Sequence, residues 1–321
     1  MKISVAMCTY NGSKFLSEQL ESILNQTQKV NEIIICDDCS QDNTKEVIFH
    51  FQKKHPGLVT LYVNETNIKV NENFEKAIKS CNGDYIFLSD QDDIWKAEKV
   101  EKTLSVFNKN PKLEGVFSNG DLINELGEKI TDSSLWDNVL FLENHINEQI
   151  DLFFYISNIR NMVTGATLCI KKEVKKFIFP FPKETIIFHD EWLALLLASR
   201  KTLSYSKERL ISYRVHSSQQ VGIMKSSSIK RNLEVIQNIL NFKNTSRFKQ
   251  LCNIRKSFFR NYYKFKKLKE NYEGKINVNL DAIIQNNYLN IIKTENRMKK
   301  SNPLRNYFNK FVEILSGKRK L

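Results

Sequence analysis

Three aspartates and a glutamine stand in one short run, Asp90-Gln91-Asp92-Asp93, directly after the apolar stretch Tyr85-Ile86-Phe87-Leu88. Carboxylates this close repel one another unless a cation or a proton sits among them. Oxygen ligands of this kind suit Mg²⁺ or Mn²⁺, which keep waters and bind through one or two carboxylates plus substrate phosphates. A solvated turn is the plainer alternative, and the position at the end of a buried strand favours the metal. Asp37-Asp38 repeats the arrangement after Ile33-Ile34-Ile35-Cys36. A carboxylate there can accept a hydrogen bond from a base or a ribose hydroxyl, while Ser40 or Asp42 is placed to cap the next helix. Downstream, Phe188-His189-Asp190-Glu191-Trp192 leads into an apolar helix. One of its carboxylates is either a helix cap or a general base at the acceptor side of a site. Tyr213-Arg214-Val215-His216 is polar after an apolar strand. For His216 three readings stand open: metal ligand, phosphate contact or surface imidazole.

These residues need elements to position them. Apolar runs predict strands over Ile3–Cys8, Glu32–Asp37, Leu58–Asn64, Asp84–Ser89 and Gly115–Asn119. Amphipathic spacing predicts helices over Ser13–Gln26, with Ser13 as N-cap, Asn43–Lys54, Asn71–Ser80 and Lys96–Asn108. A partly helical stretch over 132–160, a strand over Thr164–Lys171, an apolar helix over Trp192–Ser199 and strand plus loop over Leu203–His216 follow. The βαβα alternation implies an α/β fold, a mainly parallel central sheet flanked by helices. Ligands of such sheets bind beyond the carboxyl ends of the strands. Thr9-Tyr10-Asn11-Gly12, Asp37-Asp38 and the acidic cluster all follow strand ends, so they should share one rim.

Composition narrows the field. With 41% hydrophobic residues but only 10 Gly and 5 Pro in 321, the chain can bury a core and is neither fibrous nor disordered. Cys36 and Cys39 are spaced like half a zinc or redox site, but no second pair and no His at finger spacing accompany them. Cys8, Cys36 and Cys169 fall in apolar runs, as small buried hydrophobes and reduced thiols do. Neither a signal peptide nor an apolar run of about 18 residues is visible, so the expected location is cytoplasmic. No Gly-x-Gly-x-x-Gly follows the first strand and no P-loop occurs, which disfavours dinucleotide and P-loop chemistry. The net charge of +13 is lopsided: from Lys225 onward 23 Lys and Arg face 6 Asp and Glu, against 26 and 30 before it. A basic, aromatic helical region over 223–321, densest at Arg255–Lys267, suits an anionic membrane surface or is simply a solvated basic face.

In this order the motifs resemble the inverting glycosyltransferases of family 2, which have the Rossmann-like GT-A fold. Val5-Ala6-Met7-Cys8-Thr9-Tyr10-Asn11-Gly12 is similar to that family's first strand and turn, and Ser22-Ile23-Leu24-Asn25-Gln26-Thr27 to the end of its first helix. Asp37-Asp38-Cys39-Ser40-Gln41-Asp42 resembles its Asp-Asp-Gly-Ser-x-Asp motif, with Cys39 where Gly is usual. The block from Asn82 to Trp95 resembles the rhamnosyltransferase-like branch. The likeness covers residues 1–222 and implies a nucleotide-sugar transferase domain there. It implies nucleotide contacts from Thr9, Tyr10, Asn11, Asp37, Asp38, Asp90 and Gln91, with Arg214 near the donor phosphates. It implies Asp92, and with less support His216, as ligands of Mn²⁺ or Mg²⁺. Gly165, Ala166, Thr167, Glu191 and Trp192 would line the acceptor side. Asp190 would be the base, with His189 departing from the family's Glu. The implied reaction moves a sugar from a dTDP- or UDP-sugar donor to a glycan or lipid-linked hydroxyl in surface polysaccharide synthesis, with possible peripheral attachment to the inner membrane face. A nucleotidyltransferase would share the metal and nucleotide. A nucleic-acid-binding protein would use the basic tail, but no reader motif is present and the carboxylates would go unused.

Overall fold

A computed structural model describes residues 1–139, 141, 150–183, 185–217, 219, 247–272 and 278–306 of the chain. It divides into two compact units: Met1–Ile156 with Asn161–Met224 and Tyr272–Val278, and Ser157–Arg160 with Lys225–Asn271 and Asn279–Leu321.

The first unit opens with β1 (Ile3–Thr9), α1 (Leu16–Leu24), β2 (Glu32–Asp37), α2 (Thr44–Lys54), β3 (Val59–Val63), α3 (Val70–Ser80) and β4 (Tyr85–Ser89). β1, β2 and β4 bury nearly every side chain, the pattern of parallel strands covered on both faces. A short β5 (Ile94–Trp95), α4 (Lys99–Lys109), β6 (Gly115–Ile123), α5 (Leu135–Val139) and α6 (Leu152–Phe154) follow. Then come β7 (Cys169–Lys171), α7 (His189–Ser199) and β8 (Leu203–Arg214). Together the strands form one eight-stranded sheet in the order β3-β2-β1-β4-β7-β6-β8-β5.

Parallel pairing across β3, β2, β1 and β4 matches the expected alternation. Beyond β4 the sheet is mixed, because β7 runs antiparallel to both β4 and β6, while β6 and β8 are parallel. Thr9 pairs with Asp37 and Met7 with Ser89, so the carboxyl ends of β1, β2 and β4 lie at one level. The core beneath is aliphatic and aromatic, with Val5, Leu16, Leu20, Ile33, Ile35, Phe87, Trp95, Val100 and Leu104 in one buried cluster.

Several local expectations are corrected. Ser13 does not cap α1; its N–H and hydroxyl both donate to Asp42, and α1 starts at Leu16. Ser40 does not cap α2 either, since its hydroxyl donates to Asp37. The Asp42 carboxylate accepts the Thr44 N–H at 3.1 Å near the start of that helix. The expected strand over Thr164–Lys171 begins with a 3₁₀ turn, Gly165–Thr167, and only Cys169–Lys171 joins the sheet. The helix expected from Lys96 starts at Lys99, because Ile94 and Trp95 pair with β8 instead. Cys39 holds φ +65°, the left-handed conformation that favours Gly, so the turn of the Asp-Asp-Gly-Ser pattern survives its replacement. The stretch over 132–160 is helical at α5 and α6, and its residues 142–149 lie outside the described ones.

The second unit contains two long helices, α8 (Phe248–Tyr272) and α9 (Leu280–Ser301). Asn279 caps α9 by accepting the Ala282 N–H at 2.9 Å. Leu251, Ile254, Phe258, Phe265 and Leu268 are buried on α8, and Leu280, Ile283, Ile291 and Met298 on α9. Arg255 and Glu295 form a buried ion pair at 3.2 Å. Residues 223–246, 273–277 and 307–321 of the expected basic region lie outside the described ones. Among the described residues no helix is long and apolar enough to cross a membrane. All six cysteines are free thiols.

Candidate active site

The end of β1 is tied to its neighbours by backbone and side-chain bonds. Thr9 Oγ1 donates to Asp37 at 2.8 Å, and Asp38 N donates to the Thr9 carbonyl at 2.8 Å. Asp37 also accepts the Ser40 N–H, so both its oxygens are used in building the turn. Asp38 accepts from Asn64 Nδ2, Ile68 N and Lys69 N at 3.0, 2.8 and 3.0 Å. Lys69 sits at φ 77°, ψ 167°, a region nearly reserved for Gly. The Asp38 carboxylate thus holds a strained loop against the end of β2. Asn11, at φ +48°, donates its N–H to Ser40 Oγ and accepts the Gln41 N–H.

The acidic loop is suspended from three sides. Gln91 pairs reciprocally with the Tyr10 backbone, accepting its N–H at 2.8 Å and donating to its carbonyl at 3.1 Å. A Cβ at Gly12 would collide with that Gln91 amide, so a larger residue there would displace Gln91 from the Tyr10 backbone. Gln19 and Ser22 on α1, and Gln26 just past its end, form a polar row. Gln19 donates to Ser89 Oγ and to the Asp90 carbonyl, Ser22 Oγ accepts the Trp95 N–H, and Gln26 bridges the Lys96 carbonyl and the Val100 N–H. From β8, the Arg214 backbone N–H donates to Asp93 at 3.0 Å. Its guanidinium donates to the carbonyls of Asp92, Asn124 and Glu125 and to the Glu18 carboxylate.

Arg214 is 0% exposed and its donors go to protein partners, so it clamps the loop. Trp192 is likewise buried in the core, and its Nε1 donates to the Ile178 carbonyl. Asp37, Asn11 and Gln91 build the rim and direct their polar atoms to protein partners. Tyr10 is different, with its side chain 38% exposed on the rim. Asp90, Asp92 and Glu191 keep part of their surface in solvent, and Thr9 and Asp38 are buried beneath it.

His216 Nε2 lies 2.9 Å from Asp92 Oδ2, which joins the two expected metal ligands across the loop. Asp93 Oδ2 is buried without a hydrogen-bond partner. Among the described residues no three His, Cys, Asp or Glu side chains converge as a ready-made metal cage. The Asp92–His216 pair suits a cation that takes two protein ligands and completes its shell with phosphate oxygens and water.

The carboxyls sense one another. Burial pushes Asp90 up to about 7, reinforced by the charges of Asp92 and Asp190. Asp93 is raised by burial and then by Asp92 and Asp90. Burial likewise pushes Asp190 up to about 7, reinforced by Glu191 and opposed by the N–H groups of Glu191 and Gly165. Asp190 and Asp90 keep some solvent contact, yet the protein packed around them desolvates both. The charge of Asp190 is felt at Asp90, so the two carboxyls lie within electrostatic reach of one another.

The start of α7 is fixed by Asn71, which the motifs did not single out. Fully buried, it accepts the His189 N–H at 2.7 Å and donates to the carbonyls of Pro182 and Ile187. The His189 ring stacks on Phe74 with centroids 3.9 Å apart, and burial pushes its pKa down to about 3. A neutral imidazole thus occupies the position next to Asp190. Gly165 packs so tightly that a Cβ would meet His189 Nε2 at 2.6 Å. Ala166 and Thr167 are buried behind it. The buried Gln row, Asn71 and a buried Lys99 were invisible as site residues because each reads locally as a polar position on an amphipathic helix.

A family model described as "Glycosyl transferase family 2" matches residues 4–167. A protein of Shigella flexneri named "dTDP-rhamnosyl transferase RfbG" is 32% identical over 247 residues, 72% of this chain and 79% of that one. "UDP-Glc:alpha-D-GlcNAc-diphosphoundecaprenol beta-1,3-glucosyltransferase WfgD" of Escherichia coli is 33% identical over 122 residues, 38% of this chain and 47% of that one. Among solved structures, S. aureus TarS 1-349 in complex with UDP-GlcNAc shares the fold, with a TM-score of 0.52 and 14% identity over 95% of this chain and 92% of that one.

If Arg214 is a clamp, Arg214→Met should cost about 3 kcal/mol of stability through the orphaned carbonyls. Urea unfolding measures this. An unchanged midpoint together with weakened donor binding would restore its phosphate-contact role.

Proposed function

The chain belongs to glycosyltransferase family 2, and from that premise we propose a metal-dependent, inverting transfer from a nucleoside-diphosphate sugar to an acceptor hydroxyl. The observation that carries it is the shared rim: Asp190, with its carboxyl pushed up to about 7, stands in electrostatic reach of Asp90, two residues before the Asp92 that pairs with His216. A base poised near neutral pH is what removal of a hydroxyl proton requires.

In this reading residues 1–222 catalyse and 223–321 are an accessory region. Thr9, Asp38 and the exposed Tyr10 ring receive the base, and Asp90 the ribose. Asp92 and His216 hold Mn²⁺ or Mg²⁺. When bound, the metal supplies Lewis-acid stabilisation of the departing diphosphate. Asp190 takes the acceptor proton as the acceptor oxygen bonds to the anomeric carbon. The bond from that carbon to the diphosphate oxygen breaks, and its electron pair leaves with the nucleoside diphosphate. A single displacement inverts the anomeric carbon. The turn Gly165–Thr167 and Glu191 stand on the acceptor side.

The name of RfbG supports a dTDP-sugar donor, with a UDP-sugar as the alternative. The name of WfgD, whose acceptor carries diphosphoundecaprenol, supports a lipid-linked acceptor in surface polysaccharide synthesis. Such an acceptor lies at a membrane. In the second unit, exposed Tyr263, Tyr288, Leu289 and Ile292 stand among exposed Lys256, Lys266, Lys267, Lys293, Lys299 and Lys300. That mixture suits peripheral contact with anionic lipid at the cytoplasmic face.

Asp190→Asn should reduce transfer by about a thousandfold while donor binding, measured by calorimetry, persists; equal loss of both would remove Asp190 from the base role. In the wild type, kcat/KM should rise with pH through about 7 as the carboxyl loses its proton. Asp92→Ala should abolish the gain in donor affinity that Mn²⁺ confers, and an undiminished gain would place the metal elsewhere. The full chain should sediment with phosphatidylglycerol vesicles and, in high salt, be released; binding to phosphatidylcholine alone would contradict the electrostatic part.

A further inference from the structure

Lys99 is a buried cation that the reaction just described does not use. It opens α4 and is 0% exposed. Lysine is almost never fully buried without a partner. Its Nζ donates to the Ala166 carbonyl at 2.5 Å and lies 3.9 Å from the centroid of the Trp95 ring. Burial pushes its pKa down to about 7, while Asp93 and Asp90 favour its charged form.

The contact is with the middle residue of the turn Gly165–Thr167. One residue earlier, the Gly165 N–H lies close enough to the Asp190 carboxyl to oppose its raised pKa. The same glycine packs against His189, at the start of the helix that carries Asp190. On its other side Lys99 follows the acidic loop, whose Trp95 ring it covers. A continuous path therefore runs from the donor loop through Lys99 and the turn to Asp190.

We propose that Lys99 is a positioning residue: by holding the Ala166 carbonyl it fixes the turn that presents the Gly165 N–H to the Asp190 carboxylate. The helix that follows the donor loop thereby sets the placement and basicity of the base. This rests on the reading of Asp190 as base. The other titratable groups around Asp190 are Glu191 on its own helix, Asp90 on the acidic loop, Tyr213 on β8 and the neutral His189. Losing the Gly165 N–H would leave those acidic neighbours less opposed and raise the Asp190 pKa.

The test compares Lys99→Met, Lys99→Gln and Gly165→Ala with the wild type by pH–rate profile and by calorimetry with the donor and Mn²⁺. Lys99→Met should lower kcat by about 10- to 100-fold, the scale of a misplaced catalytic group. It should move the acid limb to higher pH and leave donor affinity unchanged. Lys99→Gln, which keeps an N–H for the Ala166 carbonyl, should recover most of the rate. Gly165→Ala displaces the same turn with Lys99 intact, so it keeps the test alive if Lys99→Met does not fold. It should move the limb the same way. A lower kcat with an unmoved acid limb, or donor affinity falling in step with kcat, overturns the proposal. If Asp190→Asn is inactive while Lys99→Met is fully active, only this inference fails. If Asp190→Asn retains transfer, the base assignment itself fails.

Discussion

Like charge crowded at the end of β4 is the constraint on which the site depends. Asp90, Asp92 and Asp93 fall within four residues of a buried strand, and each raises the cost of ionising another. Left to themselves they would splay into solvent. The loop is held instead from three sides: by Gln19 and Ser22 of α1 with Gln26 just beyond it, by the Gln91–Tyr10 pair and by the buried Arg214 guanidinium. Most of these bonds go to backbone atoms. The carboxylates are thereby positioned without being neutralised, which leaves them suited to a cation and a diphosphate.

The same logic organises the opposite side of the rim. Asp190 stands at the start of α7, whose first turn is pinned by Asn71 and whose neighbour His189 stays neutral on Phe74. A neutral imidazole there adds no positive charge that would pull the Asp190 pKa back down. Burial, reinforced by Glu191, pushes the Asp190 carboxyl up to about 7. The parallel register of β1, β2 and β4 levels the strand ends, and the mixed half of the sheet brings β8, and with it Arg214 and His216, back over the acidic loop.

Much of this could be read from sequence. Ile33–Cys36 and Tyr85–Leu88 are apolar runs followed by carboxylates, and strand ends of parallel sheets face ligands, so Asp38, Asp90 and Asp92 could be placed on one rim. Family resemblance supplied Asp190, which local pattern alone left between cap and base. Tertiary direction of side chains was not legible. Arg214 reads as a free cation after a strand, yet its guanidinium turns inward to three carbonyls. Trp192 reads as a cleft aromatic, yet it fills the core. Lys99 reads as a solvated helix start, since nothing in its neighbours announces that Ala166, far along the chain, will cover it. Ser13 has the residue type of a cap, but Asp42 from the next loop competes for it and wins.

The account's central claim is that this rim performs one displacement at an anomeric carbon. Following turnover of a nucleotide-sugar donor by proton and phosphorus NMR tests it most directly. The account predicts release of a nucleoside diphosphate and a product whose anomeric configuration is opposite to the donor's. Retention of configuration, or release of pyrophosphate, would contradict it.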